Sequence, residues 1–113
     1  MANSIKVDLT ENNVELIRSA TKEAITKALE AVGMQAENYA KEKCPVDTGR
    51  LRNSITHAQE GEDTEMIGTN VEYAPYVEYG TIHYPTARPF IKPAATEHTE
   101  EYTNIIKEIL MNA

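Results

Sequence analysis

Apolar residues recur every three or four positions over the first third of the chain, and this pattern predicts one long helix. The positions are Val14, Ile17, Ala20, Ala24, Ile25, Ala28, Leu29, Val32, Ala36 and Tyr39. Gly33 lies within this region and costs the helix about 1 kcal/mol relative to alanine. A helix of about 30 residues is about 45 Å long, longer than the core of so small a domain is wide. Self-association through part of the apolar stripe is therefore one interpretation.

Local signals set the two ends of this helix. Asn12, with Glu15 three residues later, resembles a capping box, and Thr10 is the competing cap. At the other end Pro45 stops the helix, because the residue before a proline is pushed out of helical geometry. The predicted helix spans residues 12–43.

Shorter patterns on either side of the helix predict strands. Ile5, Val7 and Leu9 alternate with polar residues, which indicates a short strand or an extended arm within residues 1–10. After the helix, two apolar segments flank a polar, acidic and glycine-containing stretch. This arrangement predicts an antiparallel hairpin over residues 50–71, with a loose acidic tip.

A short helix is expected between the hairpin and the final third of the chain. Pro75 suits the first turn of a helix and Gly80 suits the position just past its end, so the helix is placed at residues 75–79. Three tyrosines recur at every third position and would lie near one another on this turn: Tyr73, Tyr76 and Tyr79.

Prolines dominate the segment that follows. Residues 82–93 contain three of them, which predicts an extended loop with a short strand at Phe90 and Ile91. Pro93 suits the first position of a last helix, which we place at residues 94–111. The whole chain of 113 residues is expected to form a single domain.

The amino-acid composition argues against several classes of function. The chain has 18 acidic and 11 basic residues and a net charge of −7, which argues against sequence-specific nucleic-acid binding. No apolar run approaches the roughly 20 residues that span a bilayer, and the first 20 residues carry no secretory signal. Cys44 is the only cysteine, so no intrachain disulfide is expected.

The tripeptide Asp47-Thr48-Gly49 is the one that carries the catalytic aspartate in aspartic proteases. Its context here does not fit catalysis, because it follows a helix through Pro45 instead of an apolar strand. The adjacent Arg50 would also hold the carboxylate ionised, whereas the protease dyad must share one proton. The sequence favours a turn in which Asp47 and Thr48 accept backbone N–H bonds and Gly49 adopts a positive φ.

Other catalytic and metal-binding patterns are missing from the sequence. The three histidines, His57, His83 and His98, have no i, i+4 partner and no cysteine pair, so we expect no metal and no cofactor. Cys44 has no histidine beside it and is better interpreted as a buried structural thiol. The chain is not expected to be an enzyme.

Arginine and tyrosine residues are the remaining candidates for a binding surface. Arg50 and Arg52 alternate with Leu51, so their charged groups point away from the apolar side and meet acidic groups of this chain or of a neighbour. The clustered tyrosines either pack half-buried or form a contact patch, since tyrosine is enriched at interfaces. Both interpretations remain open at this stage.

Three blocks in this order resemble a known family. They are Pro45, Asp47-Thr48-Gly49, Leu51 and Ser54-Ile55; then Tyr73, Ala74, Tyr76, Glu78, Tyr79 and Gly80; then Arg88-Pro89-Phe90 and Pro93-Ala94. Over residues 12–111 the chain resembles the small tail-completion proteins of long-tailed bacteriophages, which are also called head–tail joining, neck or minor tail proteins.

The resemblance implies a fold and a role. The fold is α+β, with the long N-terminal helix packed on a small, mostly antiparallel sheet, a short tyrosine-rich helical turn and a C-terminal helix. The role is that of a structural virion protein, assembled in the host cytoplasm, that forms a ring, generally a hexamer, at the head-proximal end of the tail. Its implied partners are the tail tube protein and the head-connector or stopper protein, and DNA passes through the lumen of the ring.

A ring needs a heterologous interface, in which one patch meets a different patch on the next subunit. We predict that the tyrosine turn and the loop from Thr86 to Ala95 form one patch, with Arg88 and Phe90 as anchors. The edge that carries Arg50 and Arg52, or the outer stripe of the long helix, would receive it. The alternatives are a monomeric phage-encoded protein-binding module and, less in keeping with the sequence, a protease-like enzyme.

The predicted site residues form two groups. Those at a subunit or partner interface are Arg50, Arg52, Tyr73, Tyr76, Tyr79, Arg88 and Phe90, and those that form turns are Pro45, Asp47, Thr48, Gly49 and Gly80.

Overall fold

The computed structural model describes residues 3–8, 20–45, 49–62, 64–80 and 86–112, which form three strands and five helices. The strands are β1 (Asn3–Asp8), β2 (Thr56–Glu60) and β3 (Thr64–Thr69). The helices are α1 (Lys22–Lys43), α2 (Arg50–Ser54), α3 (Ala74–Tyr79), α4 (Ile91–Thr96) and α5 (Thr99–Met111). The predicted α+β class is confirmed.

The sheet has the order β1-β3-β2, and both pairings are antiparallel. Ile67 of β3 lies opposite Ile5 of β1 on one side and opposite His57 of β2 on the other. Helix α1 packs against β2 and β3, as predicted, and α5 packs along α1. The largest fully buried apolar side chains of the resulting core are Leu29, Val32, Ile55, Ile67, Phe90, Tyr102 and Ile106.

Helix α1 is shorter than the sequence pattern predicts. It begins at Lys22, because Thr21 has extended backbone geometry and its side chain accepts a hydrogen bond of 3.1 Å from the N–H of Ala24. The predicted continuous helix over 12–43 is therefore corrected at its start, and the predicted cap at Asn12 lies outside the described residues. With 22 residues the helix is about 33 Å long.

Gly33 marks the closest approach of α1 to the sheet. The buried carboxylate of Glu65 on β3, 2% exposed, lies 3.1 Å from Nδ1 of His57 on β2. Burial raises the pKa of Glu65, and the hydrogen bond to His57 opposes that shift. A Cβ atom at position 33 would lie 2.7 Å from Oε1 of Glu65 and closer still to Nδ1 of His57. Glycine is present because this polar pair occupies the space of a side chain.

Replacing Gly33 with alanine is expected to destabilise the protein by up to about 2 kcal/mol. Helix propensity alone would favour alanine by about 1 kcal/mol. Overpacking a filled interior costs about 1–3 kcal/mol, and we expect this cost to exceed the gain in helix propensity. Urea denaturation measures the difference. In a His57→Ala background the closest contact is removed and only Oε1 of Glu65, at 2.7 Å, still has to shift, so the destabilising effect is expected to become smaller. An increase in stability from Gly33→Ala in the wild-type background would contradict this account.

The predicted hairpin over 50–71 begins later than expected. Residues Arg50–Ser54 form the short helix α2, and Leu51 and Ile55 are buried at a spacing of four residues. This spacing suits one side of a helical turn as well as it suits an irregular strand. The hairpin consists of β2 and β3, and its tip includes Gly61 with a φ of +70°.

The C-terminal region contains two helices in place of the single predicted one. The strand predicted at Phe90 and Ile91 is not formed, because α4 begins at Ile91. Pro93 is the third residue of α4, and the last helix starts at Thr99. The hydroxyl of Tyr102 donates a hydrogen bond to the carbonyl of Ala94, which joins the two helices. Burial raises the pKa of Tyr102.

Among the helices of the described residues, none combines the length and the apolar character that crossing a bilayer requires.

Candidate functional site

The three sequence blocks that suggested a family meet at one place in the structure. Arg50, the first residue of α2, forms an ion pair with Glu72, with 3.2 Å between Nη2 and Oε2. Its guanidinium carbon also lies 5.5 Å from the centre of the Tyr73 ring, at cation–π distance. The block after α1 is thus joined to the block that forms α3.

Glu78 joins α3 to α4. This carboxylate is only 6% exposed. Its Oε1 accepts hydrogen bonds from the N–H groups of Phe90 (3.2 Å) and Ile91 (2.9 Å), and its Oε2 accepts one from Lys92 (3.2 Å). Phe90 is the residue before α4 and provides no side-chain cap of its own. A side chain 13 residues before Ile91 therefore caps this helix.

A second link fixes the segment before α4. The N–H of Arg88 donates a hydrogen bond of 2.9 Å to the carbonyl of Val77 in α3. The backbone around Arg88 is therefore held beside the tyrosine-bearing helix at two points, and the two blocks form one unit.

The charges of Arg52 and Arg88 both act on the end of α1. Cys44 is buried there, and burial raises the pKa of its thiol. The positive charges of Arg52 and Arg88 act on the same thiol in the opposite direction, so both guanidinium groups lie within its electrostatic reach. Both arginines are exposed, and neither forms an ion pair with any described residue.

Two tyrosines of α3 complete an exposed surface. Tyr76 is 62% exposed and Tyr79 is 69% exposed. Together with Arg52 and Arg88 they form what we call the Arg/Tyr surface. Large exposed aromatic side chains and arginines without a partner are the residue types that dominate protein–protein contacts.

The other predicted interface residues have different positions. Phe90 is 0% exposed and belongs to the hydrophobic core, so its interpretation as an interface anchor is wrong. Arg50 is exposed but engaged with Glu72, and Tyr73 is half-buried beneath it. Arg50 contacts Tyr73 and the Arg88 loop is bonded to Val77, so both predicted patches flank the same short helix α3. Their pairing across a seam stays a prediction.

The predicted turn residues are described only in part. Asp47 and Thr48 lie outside the described residues. Gly49 precedes α2 with a φ of +85°, and Gly80 follows α3 with a φ of +81°, values that favour glycine. Pro45 follows Cys44, whose ψ of 127° ends α1.

Sequence reasoning missed Glu72 and Glu78 as partners. Glu78 was within a matching block, but a carboxylate beside tyrosines is also typical of an exposed helix face. One indirect signal was available: the side chain of Phe90 cannot cap a helix that starts after it, so the acceptor for its first N–H groups must come from a distant residue.

Metal chemistry finds no support in the described part of the chain. No group of three or more histidine, cysteine, aspartate or glutamate side chains in residues 20–45, 49–62, 64–80 and 86–112 is arranged to hold a metal ion.

Comparison with known proteins gives one match. A family model described as "Bacteriophage HK97-gp10, putative tail-component" matches residues 8–80, which include α1, the β2–β3 hairpin and α3. No curated protein and no solved structure shows a significant match to the chain.

Proposed function

The chain belongs to the HK97-gp10-like family of bacteriophage tail components, and from this premise we propose that it forms a homo-oligomeric ring in the virion. The ring, with six copies as the expected number, lies at the head-proximal end of the tail. It completes the tail and joins it to the head connector. In this role the chain is a structural protein and performs no catalysis.

The Arg/Tyr surface is the observation that supports this proposal most directly. Its four side chains are exposed, and the backbone that carries them is fixed by Glu78 and by the bond between Arg88 and Val77. A preformed surface loses little conformational entropy on binding, which favours stable assembly. A virion ring must stay assembled without turnover, so it requires such stable assembly.

The charge of the chain suits a channel for DNA. A net charge of −7 per copy would give a ring a strongly negative field. If part of this charge lines the lumen, it repels the phosphate backbone, so that DNA slides through without being held. The tail tube protein and the connector or stopper protein would bind the two faces of the ring.

Electron microscopy of particles made without the protein tests the proposal. A nonsense codon in the gene is expected to give full heads and separate tails that are unfinished at the head-proximal end, and the wild-type chain supplied in trans should restore infectious virions. A density map of the restored neck should contain a ring of this chain. Intact, infectious virions in the absence of the protein would refute the proposal. If the chain instead stays monomeric and is absent from purified virions, the protein-binding module becomes the better interpretation.

A further inference from the structure

A second surface, on α5, has features opposite to those of the Arg/Tyr surface. A shallow groove of about 460 Å³ runs along this helix. Four glutamates and one apolar side chain line it together with the polar side chains of His98 and Asn104. The glutamates and the apolar residue are Glu97, Glu100, Glu101, Glu108 and Ile105. The only basic residue of α5 is Lys107, so the groove is acidic with an apolar spot.

Two of these glutamates are already engaged within the subunit. Glu101 accepts a hydrogen bond from the hydroxyl of Tyr39 on α1, and Glu97 forms an exposed ion pair of 3.7 Å with Lys43. Glu100 and Glu108 are exposed, and neither forms an ion pair with any described residue. The groove therefore offers two carboxylates to a partner.

The two surfaces are complementary in charge. One presents two guanidinium groups that form no ion pair with a described residue, beside two exposed tyrosines. The other presents two carboxylates that likewise form no ion pair within the described part of the chain, in a shallow, partly apolar groove. They are carried by different elements, since the Arg/Tyr surface belongs to α2, α3 and the segment before α4. A pair of unlike patches on one chain is what head-to-tail contact between identical copies requires.

We propose that the Arg/Tyr surface of one copy docks into the α5 groove of the next copy. Arg52 and Arg88 pair with Glu100 and Glu108, and a tyrosine of α3 packs against Ile105. The inference rests on the proposed ring and specifies its seam. In place of the predicted pairing of the Arg88 loop with the Arg50/Arg52 edge, it assigns both to one patch, because both flank α3.

Charge reversal in two matched variants tests this pairing. The variants are Arg52→Glu with Arg88→Glu, and Glu100→Arg with Glu108→Arg. Each alone places like charges across the seam and is expected to weaken self-association at least about 100-fold. In an equimolar mixture the two altered surfaces pair with each other with their charges exchanged, and the two unaltered surfaces pair as in the wild type, so the two variants should alternate around an even-numbered ring. Sedimentation and light scattering would detect the restored mass, about 76 kDa for six copies of the 12.6 kDa chain.

The control changes the same number of charges elsewhere. Lys22→Glu with Lys27→Glu, on exposed positions of α1, is expected to leave assembly within about threefold of wild type. Thermal unfolding of every variant verifies the fold. Free virion proteins can remain monomeric. If the wild-type chain is monomeric in solution, the same samples are tested for incorporation into tails that lack the protein.

The possible outcomes distinguish a wrong assignment of the seam from a wrong proposal of the ring. Assembly of the mixture, with failure of each double variant alone, supports the pairing. Wild-type rings together with normal assembly of either double variant would overturn the pairing and leave the proposed function intact, as would a mixture that fails. Absence of wild-type rings both in solution and in tails would overturn the proposed function and the seam with it.

Discussion

Replacing Phe90 with alanine is expected to lower the free energy of unfolding by about 3–5 kcal/mol. The ring is fully buried in the core where α4 begins, so the change removes its buried apolar surface and leaves a cavity. For a domain of this size the melting temperature should fall by more than about 10 °C. Urea denaturation and differential scanning calorimetry measure both quantities.

Tyr76→Ala is the matched control for Phe90→Ala. It also removes an aromatic ring, but from an exposed position, so its effect on unfolding is expected to stay within about 0.5 kcal/mol. Under the proposed function, Tyr76→Ala should weaken self-association without destabilising the subunit. If Phe90→Ala left stability unchanged and abolished assembly, the structural assignment of Phe90 to the core would fail.

Replacing Glu78 with alanine is expected to cost about 3 kcal/mol. The change leaves the N–H groups of Phe90, Ile91 and Lys92 without their acceptor at the start of α4. Hydrogen bonds to charged groups contribute about 1.5–3 kcal/mol each but do not add fully, and loss of a cap costs about 0.5–2 kcal/mol. Hydrogen exchange at the amides of residues 90–92 should accelerate more than exchange in β3.

Two further variants sharpen this test. Glu78→Gln keeps one acceptor oxygen but turns an N–H donor toward the backbone, so an intermediate loss of about 1–2 kcal/mol is expected. Glu72→Ala breaks the exposed ion pair with Arg50 and should destabilise the protein much less than Glu78→Ala does. Equal effects of Glu78→Ala and Glu72→Ala on urea unfolding would show that Glu78 does not cap α4.

Elements that depend on local sequence patterns could be predicted from the sequence. The spacing of three and four in Ala24, Ala28, Leu29, Val32 and Ala36 identified α1, because a helix buries one stripe. Proline and glycine at opposite ends identified α3, since each suits one helix terminus. The hairpin followed from two apolar segments around an acidic tip.

Elements and contacts that depend on residues far apart in the chain could not be predicted from the sequence. Helix α4 starts where Glu78 supplies acceptors, and nothing near Phe90 in the sequence indicates this. Phe90 itself stands between arginine, proline and lysine-containing segments, so its neighbours suggest a surface although its ring is buried. The space beside Gly33 is filled by His57 and Glu65, which lie 24 and 32 residues further along the chain.

The capping of α4 by Glu78 also limits how this protein can be recombined with its relatives. A hybrid that exchanged residues 72–80 while keeping residues 86–92 would retain a working junction only if the incoming segment carried a carboxylate at the position of Glu78. Crossover points between such proteins should therefore lie before α3 or after α4, so that both partners of the junction travel together.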